Sequence, residues 1–354
     1  MDPSARGFLL ELLSTPGVSG YEQTVQGVVR QYAQDFVDEL DTDLHGNLIL
    51  GSRVDSGTRV MLAGHCDQIG LIVSHIDDQG FLFVQTVGGW DPQQLVGQAM
   101  TVWTDHGPLP GVIARKPIHL LEEPERKKVV KTEEMWVDIG ARSAEEAESR
   151  VRIGDSVTLK LDHHLLLNNL VASPGMDNRT GLWVVVEAHR RAQAAGLSCA
   201  LFTASTVQEE IGLRGARTAA YAINPHVGIA VDVTHATDCP SLDPKQNGKI
   251  KLGGGPVISR GPNINPRICE RLFRTGRDHG IDTQASALGR AAPNDSNALQ
   301  INRQGVATGL VGVPNRYMHS AVEVCSLDDL DQSAELLARF VTGIEGQDLQ
   351  AFKP

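Results

Sequence analysis

Two adjacent carboxylates form the most conspicuous group in this chain whose residue type and position could support catalysis. Glu209 and Glu210 follow the apolar, β-branched run 201–207 and precede a turn containing glycine, which predicts that they stand at the C-terminal end of a buried strand. Ligands and reacting groups of open α/β sheets collect at that edge. Because neighbouring residues on an extended backbone face opposite sides, we expect one acid to hold a metal and the other to move a proton. Considered alone, the pair is more typical of a solvated acidic turn.

A histidine and an aspartate form a second candidate pair. His65 follows the predicted strand 59–64, and Asp67 stands two residues further on, where its carboxylate could orient the imidazole. A lone pair of this kind is more often a local hydrogen-bonding pair than a metal site. Cys66, between them, is expected to be a small packing residue.

Three further potential ligands stand near the ends of predicted elements. They are Asp177 before the helix 182–195, Asp232 after the strand 227–231, and His319 beyond the strand 307–313. Asp177 could instead complement the dipole of its helix. Together the histidines and carboxylates suit zinc, cobalt or manganese. The charges favour two divalent ions, since three carboxylates and one bridging hydroxide would balance them.

The elements that must position these residues predict an α/β fold. Strands that alternate with helices indicate a mainly parallel sheet with helices on both faces. Two amphipathic helices, 6–13 and 22–39, are predicted ahead of the first strands. From residue 74 to residue 161, short alternating segments between Gly, Pro and charged turns predict a small inserted β-rich domain. The catalytic domain is then discontinuous, with residues 1–73 and 162–354.

Composition narrows the class of protein. The 354 residues are 41% hydrophobic and 21% charged, as expected for a soluble globular protein. No run is long and apolar enough for a membrane helix and no secretion signal is evident, so we expect a cytoplasmic protein. The formal net charge of −11 argues against binding to nucleic acids or anionic membranes. Five scattered cysteines without a Cys-x-x-Cys spacing are expected to be reduced.

In combination, the motifs resemble one enzyme family. The chain is similar over nearly its full length to the cytoplasmic dinuclear metalloaminopeptidases that assemble as tetrahedral dodecamers, which include glutamyl and deblocking aminopeptidases and sequences once labelled endoglucanases. The resemblance rests on Thr-Pro-Gly-Val-Ser-Gly at 15–20, Gly-His-Cys-Asp at 64–67, Gly-Met-Asp-Asn-Arg at 175–179, Gln-Glu-Glu-Ile-Gly at 208–212, Asp-Val-Thr at 232–234 and Arg-Tyr-Met-His at 316–319.

The resemblance implies a role for each candidate residue. One metal ion would be bound by His65 with Glu210 and the other by Asp232 with His319, Asp177 would bridge the two, Asp67 would orient His65, and Glu209 would be the general base. Which ion takes Glu210 and which takes Asp232 stays open. Gln68 departs from the family, which commonly has Glu there, although no ligand or base is lost.

The same resemblance implies the reaction and the assembly. Two divalent ions, zinc or cobalt, would activate a water that attacks the first peptide carbonyl, and the free α-amino group would be held at the metal centre. Self-association into a homododecamer built from dimers would use the inserted domain and admit only peptide substrates. The preferred N-terminal residue stays open.

Three other functions compete with this interpretation. A dinuclear zinc N-acyl amino-acid deacylase or carboxypeptidase usually carries its extra domain later in the chain. A glycosidase needs two carboxylates about 5 to 9.5 Å apart across a sugar bond, which adjacent glutamates do not obviously supply. An inactive assembly protein would be expected to have lost ligands, yet all of them and the base are present.

Overall fold

Ten α-helices surround the strands in the part of the chain that the computed structural model describes, residues 1–344 and 349–353. The helices are α1 (Pro3–Ser14), α2 (Gln23–Ala33), α3 (Glu123–Arg126), α4 (Ala144–Glu148), α5 (Met176–Ala195), α6 (Arg214–Ile223), α7 (Pro244–Asn247), α8 (Pro266–Asp278), α9 (Asp295–Gln300) and α10 (Leu327–Thr342). None of these described helices has both the length and the apolar character needed to cross a bilayer. Residues 345–348 and 354, at the end of the predicted catalytic domain, lie outside the described residues.

The strands belong to one wide sheet and one closed barrel. They are β1 (Glu39–Thr42), β2 (Leu48–Ser52), β3 (Arg59–His65), β4 (Gly70–Ile76), β5 (Leu82–Val87), β6 (Ala99–Thr104), β7 (Gly107–Arg115), β8 (Met135–Asp138), β9 (Ser156–Leu159), β10 (His164–Leu165), β11 (Leu170–Ser173), β12 (Ala200–Thr206), β13 (Val227–His235), β14 (Val257–Arg260), β15 (Gln284–Ala287), β16 (Ala307–Arg316) and β17 (Glu323–Ser326).

The wide sheet is mixed, so the prediction of a mainly parallel sheet is correct only for its centre. The strand order is β1-β2-β12-β3-β13-β16-β17-β11-β10, and β12, β3, β13 and β16 are parallel. The pairs β1–β2, β10–β11 and β11–β17 are antiparallel, as are the contacts of β2 with β12 and of β16 with β17. Off this path, β14 pairs antiparallel with β16 and parallel with β15. Short connections explain this: β1 turns into β2 through Asp43–Asn47, a link too short for a crossover helix.

The register of the central strands gathers their carboxyl ends at one edge. Thr206 on β12 lies opposite His65 on β3, so Glu209 and Glu210 emerge beside that histidine. Strand β13 continues to His235, so Asp232 lies inside the strand and not after it as predicted. Parallel pairing with β16 as far as Asn315 sustains this extension. Helix α5 packs across β3 and β13 and brings its first turn to the same edge.

The bounds of three predicted helices differ from the structure, and α1 begins at Pro3 where residue 6 was predicted. Helix α2 ends at Ala33, not at residue 39, because Glu39 already pairs with Gly51 in the β1–β2 ladder. Its buried side chains Val25, Val29 and Ala33 keep the predicted helical spacing. Helix α5 begins at Met176, ahead of residue 182, although its first turn contains non-helical backbone at residues 177 and 178.

The insertion forms a closed six-stranded barrel in the order β4-β5-β8-β7-β6-β9. The barrel strands run from Gly70 to Leu159, so the first begins ahead of the expected boundary at residue 74. Leu71, Val102 and Val137 are among the side chains of a hydrophobic core that is separate from the core of the wide sheet. A separate core is what an inserted folding unit requires.

Candidate active site

The six acidic and histidine residues expected at the sheet edge come together there. His65 ends β3, Glu209 and Glu210 follow β12, Asp232 lies in β13, Asp177 lies in the first turn of α5, and His319 follows β16. Four parallel strands and one helix N-terminus therefore meet at a single cluster.

His65 lies at the buried side of this cluster. Its Nε2 is 3.2 Å from Asp177 Oδ1, 3.6 Å from Asp232 Oδ1 and 3.8 Å from Glu209 Oε2. Its other nitrogen, Nδ1, is 3.4 Å from Asp67 Oδ1, and only 2% of the residue is exposed. We call His65, Glu209 and Asp232 the inner half of the site.

His319 lies at the open side. Its Nε2 is 3.1 Å from Asp177 Oδ2 and 3.6 Å from Glu210 Oε1, and 33% of its side chain is exposed. We call Glu210 and His319 the outer half. Asp177 stands between the halves, with one carboxylate oxygen facing each histidine.

These contacts bear on the assignment of Glu210 and Asp232, which the resemblance left open. Apart from Asp177, the carboxylate nearest to His65 Nε2 is Asp232 and the one nearest to His319 Nε2 is Glu210, each at 3.6 Å. Glu210 is near both histidines, because a ligand atom of His65, one of Asp177 and one of Glu210 also lie within 4.8 Å of one another. We favour the pairing by closest approach, since it gives each imidazole its own carboxylate in addition to Asp177.

Asp67 lies behind His65 as a buried hydrogen-bond acceptor. It receives the Ser19 hydroxyl at 2.6 Å and the backbone N–H groups of Glu209 at 3.0 Å and Glu210 at 3.2 Å. Burial opposes its ionisation, but contact with His65 and the Ser19 hydrogen bond keep its pKa below the usual value. One carboxylate thus joins the loop after β3 to the loop after β12.

The crowding of acids perturbs their ionisation. Burial, reinforced by Asp232 and opposed by His65, raises the pKa of Glu209 to about 10, and burial together with Asp177 raises that of Glu210 to about 7. Burial also raises the pKa of Asp232. Hydrogen bonds to Asp177 and Glu210 raise the pKa of His319 to about 11. A site with this excess of buried carboxylates suits cations.

The donor set fits divalent metal ions in a further respect. Asp177 Oδ1 and Glu210 Oε1 are buried and have no well-aligned hydrogen bond among the described residues, although each faces a histidine nitrogen, at 3.2 Å from His65 Nε2 and at 3.6 Å from His319 Nε2. Buried carboxylate oxygens are normally paired or bound to a metal. Cys66 is buried and burial raises the pKa of its thiol, which suits the packing role expected for it.

Two further buried acids, Glu323 and Asp295, lie beside the cluster. Glu323 accepts hydrogen bonds from the Asp177 backbone N–H at 2.9 Å and from Asn315 Nδ2 at 2.8 Å, and burial raises its pKa to about 8. Asp295 accepts the Thr206 hydroxyl at 2.6 Å, and burial raises its pKa to about 6. A carboxylate directly before the apolar pair Val324 and Cys325 was the available sequence signal for Glu323.

Known proteins resemble this chain over nearly its whole length. A lysyl aminopeptidase of Pyrococcus furiosus is 38% identical over 343 residues, which cover 96% of this chain and 97% of the relative. The TET aminopeptidase of a marine sediment archaeon of the Thaumarchaeota superposes with a TM-score of 0.94 at 31% identity, covering 99% of both chains. A TET1 peptidase of Pyrococcus horikoshii, which can assemble into a tetrahedron or a large octahedral shell, gives 0.85 at 31% identity, covering 96% of this chain and 100% of that one.

The family itself is matched directly. The model of the M42 glutamyl aminopeptidases matches residues 46–336, which include every candidate site residue. The resemblance stated from the sequence motifs is therefore confirmed, and with it the enzyme class, a peptide hydrolase. The chain belongs to the M42 glutamyl aminopeptidase family.

Proposed function

We propose that this aminopeptidase removes N-terminal residues from peptides with two divalent metal ions, zinc or cobalt, and with Glu209 as general base. The observation that carries the proposal is the position of Asp177, whose two carboxylate oxygens face two different histidines. A carboxylate so placed is suited to bridge a pair of ions. The proposal extends to the fold, with the α/β domain assigned to the zinc-peptidase type.

Each half of the site would hold one ion. The inner ion would be bound by His65 and Asp232 and the outer ion by Glu210 and His319, with Asp177 shared. Short contacts between His65 and Asp232 and between His319 and Glu210 support this division. Asp67 would fix the orientation of the His65 ring from its Nδ1 side, which raises the basicity of the ligand nitrogen.

When bound, the ions would act as Lewis acids that polarise the peptide carbonyl and make water a better nucleophile. Glu209 would accept the proton of that water and return it to the leaving amine. Its position supports this role, because its carboxylate lies 3.8 Å from His65 and its backbone N–H is anchored on Asp67. Burial raises the pKa of Glu209 in the absence of ions, and the positive charge of bound ions would lower it toward the ionised form that a general base needs.

Preference for a free N-terminus follows from charge. Acids outnumber histidines around the cluster, and the open side at His319 gives access from solvent. An α-ammonium group is attracted to such a site, whereas an N-acyl amino acid, the substrate of the rival deacylase, brings another carboxylate. The charge balance therefore favours an aminopeptidase.

The proposal includes an assembly and a location. We assign the domain predicted at 74–161, whose barrel begins with β4 at Gly70, to dimerisation and oligomerisation, and the remainder of 1–73 with 162–354 to the catalytic domain, within a homododecamer that admits peptides to interior sites. TET relatives that form tetrahedra support the assembly. We place the enzyme in the cytoplasm, which suits the five free cysteines, and expect neither nucleic acid nor membrane as a partner, given the net charge of −11.

Hydrolysis of aminoacyl-p-nitroanilides tests the proposal. Chelator-stripped protein should be inactive and should regain release of p-nitroaniline with zinc or cobalt, while Glu209→Gln should bind the ions and stay inactive. A panel of acidic, basic and apolar residues would give the preferred N-terminus. Release from N-acetyl amino acids alone would indicate the deacylase, and release that needs no metal would exclude the proposed mechanism.

A further inference from the structure

A buried arginine lies directly behind the candidate active site. Arg179, in α5, has 0% exposure, and it follows Asp177 by two residues. Its guanidinium donates Nη1 to the carbonyl oxygen of Cys66, and Nη2 to that of Thr15 at 3.1 Å and to Gln68 Oε1 at 3.0 Å. All three acceptors are neutral.

A buried cation without a contacting carboxylate is costly, so its retention calls for a reason. Arg179 Nε has no hydrogen-bond partner among the described residues. Burial lowers the pKa of Arg179 to about 10, so it remains charged at neutral pH, and the acids Asp67 and Glu22 balance it from a distance. A simple ion pair therefore does not account for this arginine.

The three acceptors belong to two segments that also carry parts of the site. Cys66 and Gln68 lie on either side of Asp67, in the loop that begins at His65. Thr15 belongs to the α1–α2 connection, from which Ser19 donates to Asp67. One side chain thus joins the start of α5 to both segments.

The guanidinium packs closely against the backbone of Gly17, where a larger side chain would not fit without displacing a neighbour. A Cβ atom on Gly17 would be 2.6 Å from Arg179 Nη2. The Gly17 carbonyl also accepts the Gln68 N–H at 2.9 Å. A methyl group at residue 17 would therefore press on the arginine, and also on Val25 Cγ1 at 2.9 Å, without changing any charge.

We infer that Arg179 is a positioning residue, which fixes the loop carrying His65 and Asp67 relative to Asp177 so that the inner half is formed before a metal ion binds. This inference rests on the proposed function. The planar guanidinium of arginine can donate to several oxygen atoms at once in a fixed geometry and so hold the loop in place, whereas a lysine ammonium on its flexible side chain cannot.

Zinc affinity measured by calorimetry on the chelator-stripped full-length protein tests the inference. We expect Arg179→Lys, Arg179→Met and Gly17→Ala each to weaken binding of the inner ion by about 10- to 100-fold, the range typical of groups that orient metal ligands. Arg191→Met is the matched control, because Arg191 is on the same helix and pairs with Glu187 and Asp331, away from the site.

Thermal unfolding measured in parallel separates positioning from stability. The control should lose stability and keep its zinc affinity, whereas Arg179→Lys and Gly17→Ala should lose affinity even where their stability matches that of the control. If Arg179→Lys and Gly17→Ala fold and keep the zinc affinity of the wild type, or if Arg191→Met loses as much zinc affinity as they do, the inference is overturned. Absence of zinc binding in the wild type would instead contradict the proposed function.

Discussion

The two halves of the candidate site differ in how firmly they are held. The inner half is buried: His65 is 2% exposed, Glu209 and Asp232 are each 9% exposed, and Asp67 is backed by Ser19. The outer half ends in His319, whose side chain is one-third exposed and whose backbone is left-handed at φ 61° in the loop after β16.

This difference shows how one fold could both hold the proposed metal pair and admit a substrate. Strand ends with regular register fix the inner residues, so little reorganisation is needed there when an ion binds. The loop that carries His319 leaves the outer residues open to solvent, where a peptide can approach. We therefore expect the inner half to determine metal affinity and the outer half to determine access.

Asp177→Asn should have the largest effect, because Asp177 faces both halves. Loss of several kcal/mol of charge stabilisation corresponds to a fall in kcat/KM of at least about a thousandfold. Metal content after dialysis should fall in step. Asp329→Asn is the control, since that buried acid instead accepts N–H groups of Gly253 and Gly255. Retention of both ions in Asp177→Asn would mean that no shared ligand exists.

Replacing His65 and His319 separately should show different contributions of the inner and outer halves to zinc binding. His65→Ala should weaken zinc binding by about a hundredfold and His319→Ala by about tenfold, because water can take the ligand position at the more exposed residue. Zinc retained after dialysis against graded chelator would measure both. Equal losses would remove the distinction between inner and outer halves.

Ser19→Ala should lower kcat/KM by a smaller factor, because it disturbs only Asp67 behind the inner half. The Ser19 hydroxyl donates to the Asp67 carboxylate at 2.6 Å in a buried setting. Loss of a hydrogen bond to a charged group costs about 1.5–3 kcal/mol, which corresponds to about a tenfold or greater fall in kcat/KM. Ser14→Ala, at an exposed position that ends α1, is the control. Activity equal to that of the control would show that Ser19 does not support the site.

His189 is buried outside the site among neutral groups, in contrast to His65, which is buried among carboxylates. His189 lies between the hydroxyls of Thr203 and Ser52, both at 2.9 Å, and burial lowers its pKa to about 3. The unfolded chain takes up a proton below about pH 6.5 and the folded chain does not. Its contribution to stability is therefore complete above that pH and is lost as the pH falls toward 3.

His189→Gln should remove this contribution to the pH dependence of the free energy of unfolding, which amounts to about 1.4 kcal/mol per pH unit below pH 6. Urea unfolding of wild type and variant at pH 7 and pH 5 measures the difference in slope. His279→Gln replaces an exposed histidine and should keep the wild-type slope. A His189→Gln slope equal to that of the wild type would show that this histidine is protonated in the folded state.

Sequence patterns predicted the centre of this site better than its periphery. His65 and Glu209 follow apolar strands, and the parallel order of those strands brings them together. The mixed edges of the sheet follow from short hairpin links, which a strand count does not reveal. The approach of Glu210 to His319 depends on the loop after β16, and Arg179 and Glu323 make long-range contacts that no local pattern encodes.

Anomalous diffraction from a crystal of the zinc-loaded enzyme, measured at the zinc absorption edge, tests the central claim most directly. We predict two peaks on either side of Asp177, one between His65 and Asp232 and the other between His319 and Glu210. A single peak, or two peaks that do not share Asp177, would contradict the proposed metal pair.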